Sequence, residues 1–346
     1  MGNCHKENYT ESTMEIKIFE AIKEGAFSRF SSILSFFTSI KGIGSLDNFQ
    51  HKYKNITTNP LGYCLLLNKA EMFGKLISAG CDPGAMEKLF LISQFNSIEY
   101  LVQKNYYSVL KIYFPVFREL EVPFDASVDS YSIGMSLNLK VRCCPIHVAA
   151  IKGHLEIVGF FFEFFNGKST PFEYDIESLE ENTGENSALL ACRYGHYEMV
   201  RFLHSKANAN FMIINYFKEN ALIVTMAAMN KDPDYKFVNI FRYLLEVVKV
   251  DPCYLYEEAV VLAKCKAIFN MLSENLKKVG IIIQPKEFDE NSFVYTNPDK
   301  ESSLDPAGQI FTISFLANSH FPEILSIPSS IHGSTLSTES KHSLFI

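Results

Sequence analysis

The 346-residue sequence contains no tryptophan and only six arginines among its 32 basic residues; its 39 acidic residues leave a net charge of −7. With no surplus of positive charge there is no counterion release to drive binding to a polyanion, so nucleic acid is not an expected partner. Long hydrophobic runs are also missing. The most apolar stretch, Ile157 to Phe165, is broken by Glu163 and is about half the length needed to cross a bilayer. The eight cysteines follow no regular spacing, which excludes a disulfide framework, and the first twenty residues lack the apolar core of a signal peptide. Both features fit a reducing compartment, and the expected location is the cytoplasm, including its membrane-associated or cytoskeletal structures.

Catalytic signatures are equally scarce. The sequence has no glycine-rich phosphate loop, no Gly-x-Ser-x-Gly elbow and no His-Glu-x-x-His helix. His154 and Glu156, like His196 and Glu198, have the spacing found in zinc deaminases, but no Pro-Cys-x-x-Cys follows. Cys143, Cys144 and His147 supply three soft ligands without the fourth that a structural zinc requires. No catalytic residue, metal, cofactor or small-molecule substrate is therefore expected, and the chain reads as a non-enzyme.

What is present is a folded composition, 47% apolar and 21% charged, with an internal repeat. The run Cys-Pro-Ile-His-Val-Ala-Ala at 144–150, followed by Gly153, His154, Glu156, Ile157 and Val158, recurs at a constant offset of 42 as Ala191, Cys192, Gly195, His196, Glu198, Met199 and Val200. A third copy runs from Asn59, Pro60 and Leu61 through Glu71, Met72 and Phe73 to Ala-Gly-Cys-Asp-Pro at 79–83. The small pair Ala149 and Ala150 permits close helix approach, while Ile157, Val158 and Phe161 stand at helical spacing. Gly153 and Gly195 sit where a turn with positive φ is needed. Cys64 and Cys192 take the place of a small core residue.

These motifs resemble the ankyrin repeat, with its acidic finger residue, glycine and Thr-Pro-Leu-His-x-Ala-Ala-x-x-Gly-His pattern. Glu-Asn-Thr-Gly-Glu at 181–185 lies on the family's finger, directly before Asn186 in the Thr position. The resemblance implies an all-α solenoid of stacked helix-turn-helix units. About seven are expected between Glu15 and Gly280: a degenerate capping unit at 18–34, three good copies, and eroded ones over 87–121, 220–251 and 257–276. The expected organisation is a leader over 1–14, a first block over 15–122, a polar linker over 123–139, a second block over 140–280 and a Ser- and Pro-containing tail over 281–346. Within that tail, 309–316 alternates like a strand or docking peptide. The family also implies that His147 bonds between neighbouring fingers, a tie lost where Leu189 replaces it.

A solenoid of this kind is expected to bind another protein as an adaptor or scaffold through its concave groove and fingers. The residues implied are Asn182, Thr183 and Glu185 in the best finger; Arg193 and Tyr194 after its helix; Lys140, Val141, Ile151 and Lys152 in the preceding copy; and Leu66 and Leu67 as an apolar anchor in the early one. Arg193 and Tyr194 are expected to be free of packing duties. The body carries only −2 of the charge, although Glu173, Asp175, Glu177, Glu180 and Glu181 crowd one finger loop. Two further readings remain open. Gly2 and Cys4 form a candidate dual-acylation signal for a lipid-anchored membrane adaptor, with Lys6 departing from the usual Ser or Thr. A ubiquitin-ligase substrate receptor would need a recruiting box, which the tail does not display.

Overall fold

Asparagine opens four helices in the same way. Asn59, Asn96, Asn186 and Asn220 each accept a hydrogen bond from the amide three residues on, those of Gly62, Glu99, Leu189 and Ile223, at 3.0, 3.0, 3.1 and 3.0 Å. Each side chain satisfies an amide that the first helical turn leaves without a partner. In the computed structural model, which describes residues 11–120 and 144–288, these caps begin the first helix of a recurring pair.

Seven pairs follow one another among the described residues. They are α1 (Glu11–Glu24) with α2 (Phe27–Phe36), then α3 (Pro60–Leu66) with α4 (Ala70–Ala79). After a single helix, α5 (Pro83–Ile92), come α6 (Ser97–Lys104) with α7 (Tyr107–Glu119), and α8 (Pro145–Lys152) with α9 (Leu155–Phe164). The last three are α10 (Ser187–Arg193) with α11 (Tyr197–Ser205), α12 (Ala221–Lys231) with α13 (Tyr235–Tyr243), and α14 (Tyr256–Leu262) with α15 (Lys266–Lys278). First helices pack on first helices along α6, α8, α10, α12 and α14, and second helices on second helices along α11, α13 and α15. The fold is therefore the all-α solenoid that the repeat implied. The linker expected at 123–139 and the docking peptide at 309–316 lie outside the described residues; α6 and α7 pack directly against α8 and α9.

The small pairs account for the close approach of neighbouring first helices. Ala149, Ala150, Ala191 and Cys192 are fully buried, as are Ile157, Val158 and Phe161 on the facing stripe of α9. Cys64 is buried too, and burial pushes its thiol well up from the ordinary range. In place of the tryptophan it lacks, the core uses clustered phenylalanines. Phe114 of α7 lies 5.0–6.1 Å, centroid to centroid, from Phe160, Phe161, Phe164, Phe165 and Tyr174, all on α9 or the segment after it.

The turn between paired helices takes a left-handed residue, Gly25, Gly153 and Gly195 in three of the pairs and Asn68 and Asn105 in two others. Gly153 has φ +72°, and a Cβ there would stand 2.6 Å from Nδ1 of His196 in the next unit. That imidazole is held in place: its Nε2–H donates to the Ile151 carbonyl at 2.7 Å. Gly153→Ala is expected to lower stability by about 2 kcal/mol, from the left-handed backbone and the displaced ring together. Chemical denaturation measures it, and an unchanged midpoint would count against this account of the turn.

Candidate interaction surface

The connections between units form a row of fingers. Before α3 the finger is a small antiparallel hairpin, β1 (His51–Tyr53) with β2 (Ile56–Thr58). Before α6 its place is taken by α5, which packs on β2 and α3. Before α10 lies the lengthened loop, turned by Glu180 rather than Glu181. The Glu180 carboxylate accepts from the amides of Asn182 and Thr183 and from the Thr183 hydroxyl, at 3.2, 2.8 and 2.7 Å, while Glu181 is exposed. Burial alone would raise the pKa of Glu180, but these bonds outweigh it and hold the carboxyl below its ordinary range.

His147 ties this finger to α8. Its Nε2–H donates to the Ser178 carbonyl at 2.9 Å, with the Ser178 hydroxyl at 3.0 Å, which joins the helix to the following finger; the finger before α8 lies outside the described residues. Burial keeps His147, His154 and His196 below the ordinary imidazole pKa of 6.5, partly offset by bonds to the carbonyls of Ser178, Gln103 and Ile151. The unfolded chain therefore binds more protons than the folded one as pH falls through about 6.5, and stability falls with it. Glu87 and Asp47, both raised by burial, act in the opposite sense, two carboxyls against three imidazoles. The melting temperature is expected to drop between about pH 7 and pH 5.5; a rise across that window would contradict the buried neutral imidazoles.

The structure separates the predicted binding residues. Of the two positions after each small pair, the first packs inward and the second is less covered. Leu66 is 1% exposed and Ile151 6%, so neither forms a groove contact, while Leu67 and Lys152 are half-buried. The apolar anchor expected at Leu66 is a core residue. Arg193 follows the same rule: its guanidinium binds Glu185 through Nε at 2.9 Å and through Nη2, and Glu219 through Nη2 at 2.8 Å. Glu185 itself is fully buried, with Asn215 Nδ2 donating to it at 2.8 Å. Burial works against the Arg193 charge, but the two carboxylates dominate and raise its pKa. Arg193 and Glu185 are thus structural, contrary to the expectation that they are free for a partner. Tyr194 is 38% exposed, Asn182 is exposed and Thr183 half-buried. Lys140, Val141, Gly2 and Cys4 lie outside the described residues.

The most prominent exposed group went unread in the sequence. In the next finger, Phe211 and Asn215 are buried, whereas Met212, Ile214, Tyr216 and Phe217 are 53%, 45%, 60% and 63% exposed. The segment is anchored despite its exposure. The Tyr216 amide donates to the Thr183 carbonyl at 2.8 Å, its ring covers Gly184, and the Asn210 amide donates to Glu177 at 2.8 Å. The Tyr254 hydroxyl, from the following finger, donates to the Lys218 carbonyl at 3.1 Å. Aromatic and aliphatic side chains are thereby held outward on a fixed edge shared by three fingers.

Elsewhere, a recess of about 360 Å³ between α1 and the hairpin is lined by Glu15, Phe19, Glu20, Lys23, His51 and Tyr63. Its Phe19 and His51 rings stack on one another at 4.9 Å. Among the described residues no group of three His, Cys, Asp or Glu side chains is placed to hold a metal, and no helix is long and apolar enough to cross a membrane.

Residues 146–254 match the ankyrin-repeat family in three copies. E3 ubiquitin-protein ligase XBAT33 of Arabidopsis thaliana is 44% identical over 59 residues, 17% of this chain and 10% of that protein, so the alignment spans about a tenth of this curated relative. Among solved structures, the ankyrin repeat domain of Bcl-3, a unique member of the IkappaB protein family, aligns over 77% of this chain and 99% of its own at 16% identity and TM-score 0.46. The ankyrin repeat protein EF0377 aligns over 66% of this chain and 96% of its own, at 18% identity and TM-score 0.40.

Proposed function

Because the chain is an ankyrin-repeat protein, with the family match over residues 146–254, we propose that it is a non-catalytic module that binds another protein, as an adaptor or scaffold, through the finger edge of its later units. One observation carries the reading: Met212, Ile214, Tyr216 and Phe217 are exposed on a segment whose backbone is hydrogen-bonded to the neighbouring finger. Rigid aromatic side chains give contact area at little entropic cost and dominate the energetics of protein interfaces. Tyr194 is the one residue after the small pairs with the exposure to join them, at 38%.

The test replaces Tyr216 and Phe217 together with alanine. Binding of a partner cross-linked through this edge is expected to weaken by roughly thirtyfold or more, since interface hot spots each contribute about 2 kcal/mol or more. Stability should move by less than about 1 kcal/mol, because neither ring is buried. Undiminished binding would move the interface elsewhere on the chain. A narrower second reading, substrate receptor in ubiquitin transfer, is favoured by the local similarity to a ligase. It predicts that the bound partner is ubiquitinated only while Tyr216 and Phe217 are intact.

A further inference from the structure

The near-neutral total of the repeat body conceals a segregation of charge at the finger edge. The loop from Phe172 to Glu185 contains six carboxylates and no lysine or arginine. Some have internal work: Glu180 turns the loop, Glu177 accepts from Asn186 and Asn210, and Asp175 accepts from the Glu177 amide. Glu173 and Glu181 are exposed. At the base of the edge, one guanidinium, Arg193, sits between two carboxylates, Glu185 and Glu219, leaving one negative charge in excess. The Glu219 side chain is 22% exposed. The third finger, 249–255, carries Asp251 against Lys249, and Glu257 and Glu258 follow in the first turn of α14. The bases on the middle finger segment, 206–219, are Lys206 and Lys218.

Glu181 and Glu219 lie near the apolar group already described, and the exposed Lys218 stands between Phe217 and Glu219. Tyr216 lies on Gly184, three residues from Glu181, and Phe217 is two residues from Glu219. Phe172, 54% exposed, stands beside Glu173, and Leu179, 40% exposed, lies two residues before Glu181. An apolar centre whose rim carries more acid than base, with Lys206 and Lys218 the exposed cations on the middle finger, favours a partner of net positive charge, because an acidic segment would be repelled by the excess and a neutral one would gain no long-range attraction. We infer that the segment this edge captures is basic and apolar: a peptide stretch that places lysines or arginines on either side of one or two bulky hydrophobic residues. The hydrophobic residues lie against Tyr194, Tyr216 and Phe217, and the cations face Glu173, Glu181 and Glu219. This inference rests on the binding reading of the same edge.

The test uses the full chain as bait for a phage-displayed library of random dodecapeptides, followed by affinity measurements on the enriched sequences as free peptides. Expected are sequences that pair Lys or Arg with a bulky apolar residue. Their affinity should fall at least tenfold in the Glu173→Lys/Glu181→Lys variant, and by a similar factor when salt rises from roughly 50 to roughly 500 mM. It should also fall in Tyr216→Ser/Phe217→Ser. Enriched peptides that are acidic or uncharged, or that bind the charge-reversed variant undiminished while losing affinity to Tyr216→Ser/Phe217→Ser, overturn the basic partner and leave the binding edge standing. Peptides indifferent to both variants, or no enrichment at all, overturn the edge and the partner chemistry together.

Discussion

Arg193→Ala is expected to lower the stability of the chain by about 3–5 kcal/mol, the range seen when one member of a buried ion pair is removed. The reason lies in what stays behind. Glu185 is fully buried and has Arg193 as its cationic partner, and a carboxylate left without a counter-charge keeps its full desolvation cost. Asn215 still donates to it at 2.8 Å, but a neutral amide cannot balance the charge. Arg193→Lys should recover part of the loss, because an ammonium restores charge without the two-pronged geometry that reaches Glu185 and Glu219 together. Tyr194→Ala, at the adjacent position, should cost much less. Equilibrium denaturation of the three variants decides the matter, and an Arg193→Ala protein as stable as its parent would mean that Glu185 finds another route to solvation.

Phe114→Ala should be comparably damaging, at about 3–5 kcal/mol for a fully buried phenylalanine. Its effect is expected to be visible in the shape of the transition as well as its midpoint. Phe114 is the ring through which α7 meets five aromatic rings of the following unit and the segment after it. In a stacked array each unit contacts only its neighbours, so weakening one interface uncouples the two sides. The denaturation curve should separate into two steps, with Phe114→Leu, which keeps most of the volume, retaining one. A single transition merely shifted to lower denaturant would show that the first helices carry the coupling alone.

The architecture was legible because the sequence repeats the few residues that its geometry constrains most. Gly153 and Gly195 recur where the backbone must be left-handed, and the small pairs recur where helices touch; neither position tolerates much substitution. The binding edge was much less legible. Two adjacent positions after each small pair look alike as a pattern, yet one residue along a helix is a rotation of about 100°, which takes Ile151 inward and leaves Lys152 half-covered. Leu66 and Leu67 divide in the same way. Arg193 reads as a surface residue until the carboxylates of Glu185 and Glu219, 8 and 26 positions away, are seen around it. Around Met212 to Phe217 the side chains divide, with Phe211 and Asn215 in and Met212, Ile214, Tyr216 and Phe217 out. That pattern is not in the letters, where Phe-Met-Ile-Ile-Asn-Tyr-Phe is apolar at every position but one, and it lies between helices, where a helix-pair repeat directs no attention. The acid that turns the long finger is likewise one residue earlier than the family spacing indicates.

The helix α5, standing where the third unit would have a hairpin, divides the finger row into two unequal stretches. Among the described residues, an extended ligand lying along the row would meet one hairpin finger, the helix α5, and the fingers from Phe172 onward. Such a chain would engage this protein as two short sites in tandem rather than one long one. The combined affinity then depends on the spacer between a ligand's two binding sequences, rising steeply when its reach matches the gap across α5 and vanishing when it falls short. Selectivity among ligands bearing the same short sequences could then reside in the spacing between them, a length measurement made by a helix that need not touch the ligand.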